Sequence, residues 1–198
     1  MLIGLGGIAA TVPASAATFD FMALGNALEA GYKPYTLTVD GIGLTARGYY
    51  TPNNKPEVQV FAYLDGGNAG LGVCKVLSGV QCTPSSDDNV TKGERLNLTF
   101  DRAVSLNPTL FRAEGHTAKF QTGDRVDLRV DGVLTSGVQI PLNGTYATAL
   151  TGTSFDFIFN NEQFYISAVT AQAVPEPASL MLLGAGMLGM SLIRRRKA

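Results

Sequence analysis

The hexapeptide Arg125-Val126-Asp127-Leu128-Arg129-Val130 alternates charged and apolar side chains, and Asp131-Gly132 follows at once. Successive side chains of a strand point to opposite faces, so this segment has one face for a core and one for water. Asp-Gly tolerates the positive φ angles of a two-residue hairpin turn, so the chain is expected to return antiparallel. Asp40-Gly41 repeats the device between Thr36-Leu37-Thr38-Val39 and Ile42-Gly43-Leu44-Thr45. Further strand-like runs lie at 58–64, 96–100, 118–121, 138–142, 154–160 and 164–170, and only 21–30 has room for a helix. Strands recurring about every ten residues, with 23 glycines and no tryptophan, predict an all-β fold. The expected form is an antiparallel two-sheet β-sandwich, jelly-roll-like, with a closed barrel as the alternative. At 198 residues the chain holds one core, and a two-domain enzyme with an interdomain cleft does not fit.

Both ends read as addresses. Residues 2–12 are apolar and are followed by Ala14-Ser15-Ala16 and Ser15-Ala16-Ala17, either of which fits the small-residue pattern of a signal-peptide cleavage site. Residues 1–17 are therefore expected to be a signal peptide passed through the Sec translocon, with Ala16 or Ala17 at the cut. No lysine or arginine precedes the apolar run, so the leader is expected to be truncated at its start. At the other end Val174-Pro175-Glu176-Pro177 is followed by an apolar run, and then by Arg194-Arg195-Arg196-Lys197. Residues 178–193 as a helix would span about 24 Å at 1.5 Å per residue, just short of a hydrocarbon core of about 30 Å. Snorkelling arginines can make up the difference. The basic cluster would stay cytoplasmic and leave everything before Pro175 outside. The body, 18–173, is expected to be the extracellular β domain and 174–198 a tail containing a single transmembrane helix.

The order Pro175-Glu176-Pro177, apolar helix, Arg194-Arg195-Arg196 resembles the PEP-CTERM family of Gram-negative bacteria. That tail is also catalogued as an ice-binding protein C-terminal domain, a label that transfers no activity. The resemblance implies transient residence in the inner membrane, cutting near Pro-Glu-Pro by exosortase, and delivery to the cell surface or extracellular matrix. The segments Gly70-Leu71-Gly72-Val73-Cys74, Ser86-Asp87-Asp88-Asn89 and Glu94-Arg95-Leu96-Asn97-Leu98-Thr99-Phe100-Asp101 resemble a pattern in the extracellular domains of such proteins, to which no activity is attached.

Cys74 and Cys82 are the only cysteines, and in an exported chain such a pair is expected to form a disulfide. Closing so short a loop stabilises by roughly 2–3 kcal/mol in the chain-entropy model. Just beyond, residues 85–94 concentrate oxygen ligands. Asp87, Asp88 and Glu94 are the candidate ligands for Ca²⁺, against a reading as solvated turn acids; the spacing does not match an EF-hand loop. No other cofactor is expected.

Catalysis by a Ser-His-Asp or Cys-His set needs a histidine, and the chain has one, His116, in the turn-like Glu114-Gly115-His116-Thr117. A metal site built on histidines needs a second. Phosphate-cradling motifs are absent, and a net charge of −1, with four of the fifteen basic residues in the last five positions, leaves no footprint for nucleic acid. The chain is therefore expected to be a non-enzymatic structural or adhesive component of biofilm or exopolysaccharide, with Tyr49, Tyr50 and Tyr63 as candidate sugar-stacking rings. The alternative is a secreted carbohydrate-binding or polysaccharide-processing protein that uses a carboxylate pair.

Overall fold

The computed structural model describes residues 16–53 and 55–175. Fourteen strands and one short helix account for most of them. In chain order they are β1 (Ala16–Asp20), α1 (Phe21–Ala27), β2 (Ala30–Tyr32), β3 (Tyr35–Val39), β4 (Ile42–Tyr50), β5 (Val58–Asp65), β6 (Gly70–Cys74), β7 (Leu77–Ser78), β8 (Gln81–Cys82), β9 (Glu94–Ala113), β10 (Arg125–Val130), β11 (Val133–Gln139), β12 (Thr145–Tyr146), β13 (Leu150–Phe159) and β14 (Phe164–Ala173). Both Asp-Gly hairpins form as expected, with positive φ at Asp40, Gly41, Asp131 and Gly132.

The two-sheet sandwich is not what these residues build. Twelve strands form one sheet whose order runs β1-β14-β6-β5-β4-β9-β13-β10-β11, and β14 also pairs with β9, so the circuit β14-β6-β5-β4-β9 closes into a five-stranded barrel. The cause is the length of β9. Its first half pairs with β4, from Tyr50 opposite Glu94 to Leu44 opposite Phe100, and its second half pairs with β14, from Ala173 opposite Val104 to Phe164 opposite Ala113. A single 20-residue strand thus joins β4 to β14 and closes the barrel. Strands β13, β10 and β11 extend from its other edge as a wing. Residues 118–121, expected as a strand, are irregular.

The core follows β9. Phe100 meets Phe19 and Phe155 edge-on at centroid distances of 5.6 and 5.8 Å, and Phe111 meets Phe157 and Phe164 at 5.9 and 5.6 Å. Such edge-to-face pairs add to the burial of the rings.

The expected cleavage residues Ala16 and Ala17 open β1, where they lie opposite Gln172 and Ala171 of β14, and Ala17 is fully buried. β14 ends at Ala173, and the Val174 amide donates to Ala103 O at 3.0 Å. Both ends of the domain therefore leave the barrel at one pole, side by side. Tyr165 lies at the opposite end of β14, about 26 Å away at 3.3 Å per residue. The signal-peptide body and the expected transmembrane helix at 178–193 lie outside the described residues. Among the described residues no helix is long and apolar enough to cross a membrane.

Candidate functional site

The pole away from the termini gathers the acids. Its frame rests on close backbone approaches that only glycine permits. A Cβ on Gly72 of β6 would stand 2.1 Å from Asp88 O and 2.8 Å from Asn89 Cα, so the acidic loop can cross β6 because Gly72 is bare. A Cβ on Gly25 would stand 2.2 Å from Asp65 O, which lets α1 press onto the end of β5. Asp20 caps α1 by accepting from the Ala23 amide at 2.9 Å. The loop is held from the other side by the Cys74–Cys82 disulfide, which forms as expected.

Within this frame the acids separate into two clusters. In the first, Asp87 pairs with Lys75 and accepts from the Lys75 backbone amide at 3.2 Å. The same Lys75 ammonium reaches Glu94 Oε1 at 2.9 Å, and Glu94 Oε2 accepts from the Thr91 amide at 2.9 Å. Glu94 is 1 % exposed, and burial pushes its carboxyl up to about 7 although Lys75 opposes the shift. Lys75 also lies 4.9 Å from the centre of the Tyr50 ring.

The second cluster is built on Asp65, Asp88, His116 and Tyr165. Tyr165, 1 % exposed, donates to Asp88 Oδ1 at 2.5 Å and lies close enough to Asp65 to interact with its carboxyl. His116 Nε2 stands 3.1 Å from Asp65 Oδ2, and His116 Nδ1 lies 3.0 Å from Gly67 O. A carbonyl only accepts, so Nδ1 carries the hydrogen of that contact. The His116 ring meets the Tyr165 ring edge-on at 5.4 Å. Burial, and then the charge of Asp88, push Asp65 up to about 6, against the pull of His116 and Tyr165; burial also raises Asp88. Burial and the two carboxylates raise the Tyr165 phenol.

A hollow of about 240 Å³ opens over this second cluster, lined by Asp88, Asn89, Glu114, His116 and Tyr165, with Ser85 and Ser86 at its edge. Asn89 is 1 % exposed, and neither Oδ1 nor Nδ2 has a hydrogen-bond partner. A larger trough, about 380 Å³, runs along β3, β4 and β9 past Thr36, Thr38, Thr45, Thr99 and Asp101. None of its lining residues is a buried polar side chain without a partner.

Of the three expected calcium ligands, Asp87 and Glu94 share the Lys75 ammonium, which stands where a cation would. Asp88 turns away to Tyr165. The three do not converge on one point. The expected stacking rings are occupied as well: Arg95 lies 3.8 Å from the Tyr49 ring centre, Lys75 covers Tyr50, and Tyr63 is buried with its hydroxyl on Glu29 at 2.7 Å. Sequence reasoning treated His116 as an exposed turn residue and did not join it to Asp65 or Tyr165.

Pro175 is exposed at the end of the described chain, while Glu176, Pro177, Arg194, Arg195 and Arg196 lie outside the described residues. A family model described as the PEP-CTERM protein-sorting motif matches residues 173–197. No curated protein and no solved structure matches the chain.

Proposed function

Starting from a chain that carries a PEP-CTERM sorting motif and is exported to the cell surface or extracellular space, we propose that it serves there as a non-enzymatic structural or adhesive component of the exopolysaccharide matrix. One observation carries this reading. The sorting signal begins where β14 ends, at the same pole as β1, so a domain still tethered by its tail holds the acidic pole outward. After cutting near Pro175 the barrel would be released with that pole already exposed to the surrounding polymer. Exosortase and the Sec translocon act on the two ends, the inner membrane holds the chain only in transit, and exopolysaccharide is the final partner.

The polysaccharide-processing alternative would draw on Asp65 and Asp88, two acids with raised proton affinity at one site. Hydrolysis needs the scissile oxygen and a water or nucleophile between such a pair. Here the Tyr165 hydroxyl occupies that position, which favours binding over turnover.

The test is the intact mass of the protein recovered from the surface of a host that carries exosortase. A mass ending near Pro175, and 2 Da below the reduced form on account of the one disulfide, is the expected result. A mass retaining Arg194 to Ala198 would make this a membrane-anchored protein and overturn the matrix reading.

A further inference from the structure

We propose that the trough along β3, β4 and β9 binds a neutral polysaccharide, laid across the strands and held by a row of hydroxyl groups; the proposal rests on the matrix reading for its choice of a sugar polymer. The row comes from register. Thr36 lies opposite Thr45, Thr45 opposite Thr99, and Thr99 opposite Ser154, so four hydroxyl-bearing residues stand side by side on β3, β4, β9 and β13. All four are exposed or half-buried, whereas Leu44, Ala46, Leu98, Phe100 and Phe155 beside them in the strands are buried, so the row faces outward. At about 4.8 Å per strand it spans about 14 Å. Depth is supplied by Gly43, which pairs with Thr38 and lies on the same outer face as Thr45. A Cβ there would stand 3.0 Å from Asp101 Oδ2, so the bare backbone of Gly43 is the floor between the Thr38 and Asp101 side chains. The resulting space of about 380 Å³ is of the size that takes small ligands and single units of a polymer.

The kind of ligand follows from what the trough offers. Asp101 is the one titratable side chain among the lining residues, and Arg102 neutralises it through hydrogen bonds of 2.9 and 3.1 Å. An anionic polymer therefore meets no unpaired cation in the lining, and a cationic one meets no unpaired carboxylate. What remains are hydroxyls held in place but not exhausted. Thr99 Oγ1 donates to Asn97 Oδ1 at 2.9 Å and can still accept; Ser154 Oγ accepts from Asn97 Nδ2 at 3.0 Å and can still donate. Asn97 is buried, so the two hydroxyls are oriented from within the sheet. A neutral sugar chain repeats groups that both donate and accept along its length, and the C–H face of a ring can lie on the bare backbone at Gly43. The row runs on past the trough to Ser154, which suits an extended chain better than a single ring.

The experiment is native gel electrophoresis of the protein recovered from its host's surface, with polysaccharide cast into the gel. The probes are two neutral glucans, dextran and hydroxyethyl cellulose, with alginate as the anionic polymer and chitosan as the cationic one. At least one glucan is expected to retard the protein in proportion to its concentration, and alginate and chitosan should retard it less. Gly43→Val should abolish the retardation. Gly43 has strand geometry, valine suits a strand, and the Asp101 side chain it would meet is exposed, so thermal unfolding should not fall. Thr45→Val keeps the shape and removes one hydroxyl, and should weaken binding roughly fivefold, the scale of one hydrogen bond. Thr135→Val, on the exposed face of β11, should leave binding unchanged. No retardation by either glucan, alginate binding as tightly as the glucans, or wild-type binding by Gly43→Val would overturn the proposal. The mass measurement decides the matrix reading separately, so failure of one is distinguishable from failure of the other.

Discussion

Asp87 sends its carboxylate to Lys75 beside the buried Glu94, whereas Asp88, next along the chain, meets a phenol and a hollow. Both neighbourhoods bury acid; one answers it with an ammonium inside the protein and the other does not. In the Lys75 cluster every charge has a partner of opposite sign, which is the pattern of a tie that fixes the disulfide loop to the start of β9. In the Asp65–Asp88 cluster His116 is the one basic side chain at the carboxylates, with the Arg112 guanidinium beyond it on the His116 carbonyl, and Asn89 is left unpaired. The two differ in charge pairing and not in hydrogen-bond completeness, since Glu94 Oε1 in the one and Asp65 Oδ2 in the other are both buried without a hydrogen-bond partner.

Replacing Lys75 with methionine should have the largest effect on that contrast. It keeps the stem against Tyr50 and strands Glu94, so the domain should lose about 3 kcal/mol, the scale for breaking a buried pair from one side. Urea unfolding measures it, and a loss below about 1 kcal/mol would show that the two clusters do not differ as argued. Tyr165→Phe should cost about 1–2 kcal/mol, since one buried hydrogen bond to a carboxylate is lost. The hydroxyl lowers the proton affinity of both Asp65 and Asp88, so that cost should be smaller at pH 5, where the acids can protonate instead, than at pH 8. Equal costs at the two pH values would separate Tyr165 from the acids. A third readout is the wild-type Tm. Asp65 at about 6 and Glu94 at about 7 both sit above their ordinary values of 3.8 and 4.5, so the folded state holds these protons more tightly than the unfolded one. Their contribution to stability is complete below the ordinary carboxylate range and is lost as pH rises through 6 to 7. A scanning calorimeter should therefore record a higher Tm at pH 5 than at pH 8. Asp101, held low by Arg102, works in the opposite sense and only at more acidic pH.

Local rules carried much of the fold. Asp40-Gly41 and Asp131-Gly132 placed two hairpins to the residue, and alternation placed the strands that became β5, β10, β13 and β14. The same rules stopped β9 too early. Asp101 and Arg102 interrupt its apolar alternation and Pro108 cannot donate to a ladder, so the run read as ending at Phe100. In the folded chain the interruption is exposed, the strand continues to Ala113, and the continuation is what β14 pairs with. The site was legible in part. Asp88 was singled out, but its grouping with Asp87 and Glu94 rested on nearness in sequence, and the loop over Gly72 turns neighbouring carboxylates to different partners. His116 and Tyr165 lie 49 positions apart and meet because β9 and β14 pair at that pole.

The sequence by itself determined what acts over short spans: the β class, the hairpins, the disulfide between two cysteines eight residues apart, and a sorting signal read as a linear order of Pro-Glu-Pro, apolar run and basic cluster. Each of these depends on turn chemistry, loop closure or hydropathy, which are properties of contiguous residues. Only the tertiary structure decided that the sheet closes into a barrel, that both ends leave by one pole, and that Asp65, Asp88, His116 and Tyr165 share the other. Those outcomes depend on which edges of β9 find β4 and β14, a pairing across tens of residues whose energy comes from burying the Phe100 and Phe111 clusters together.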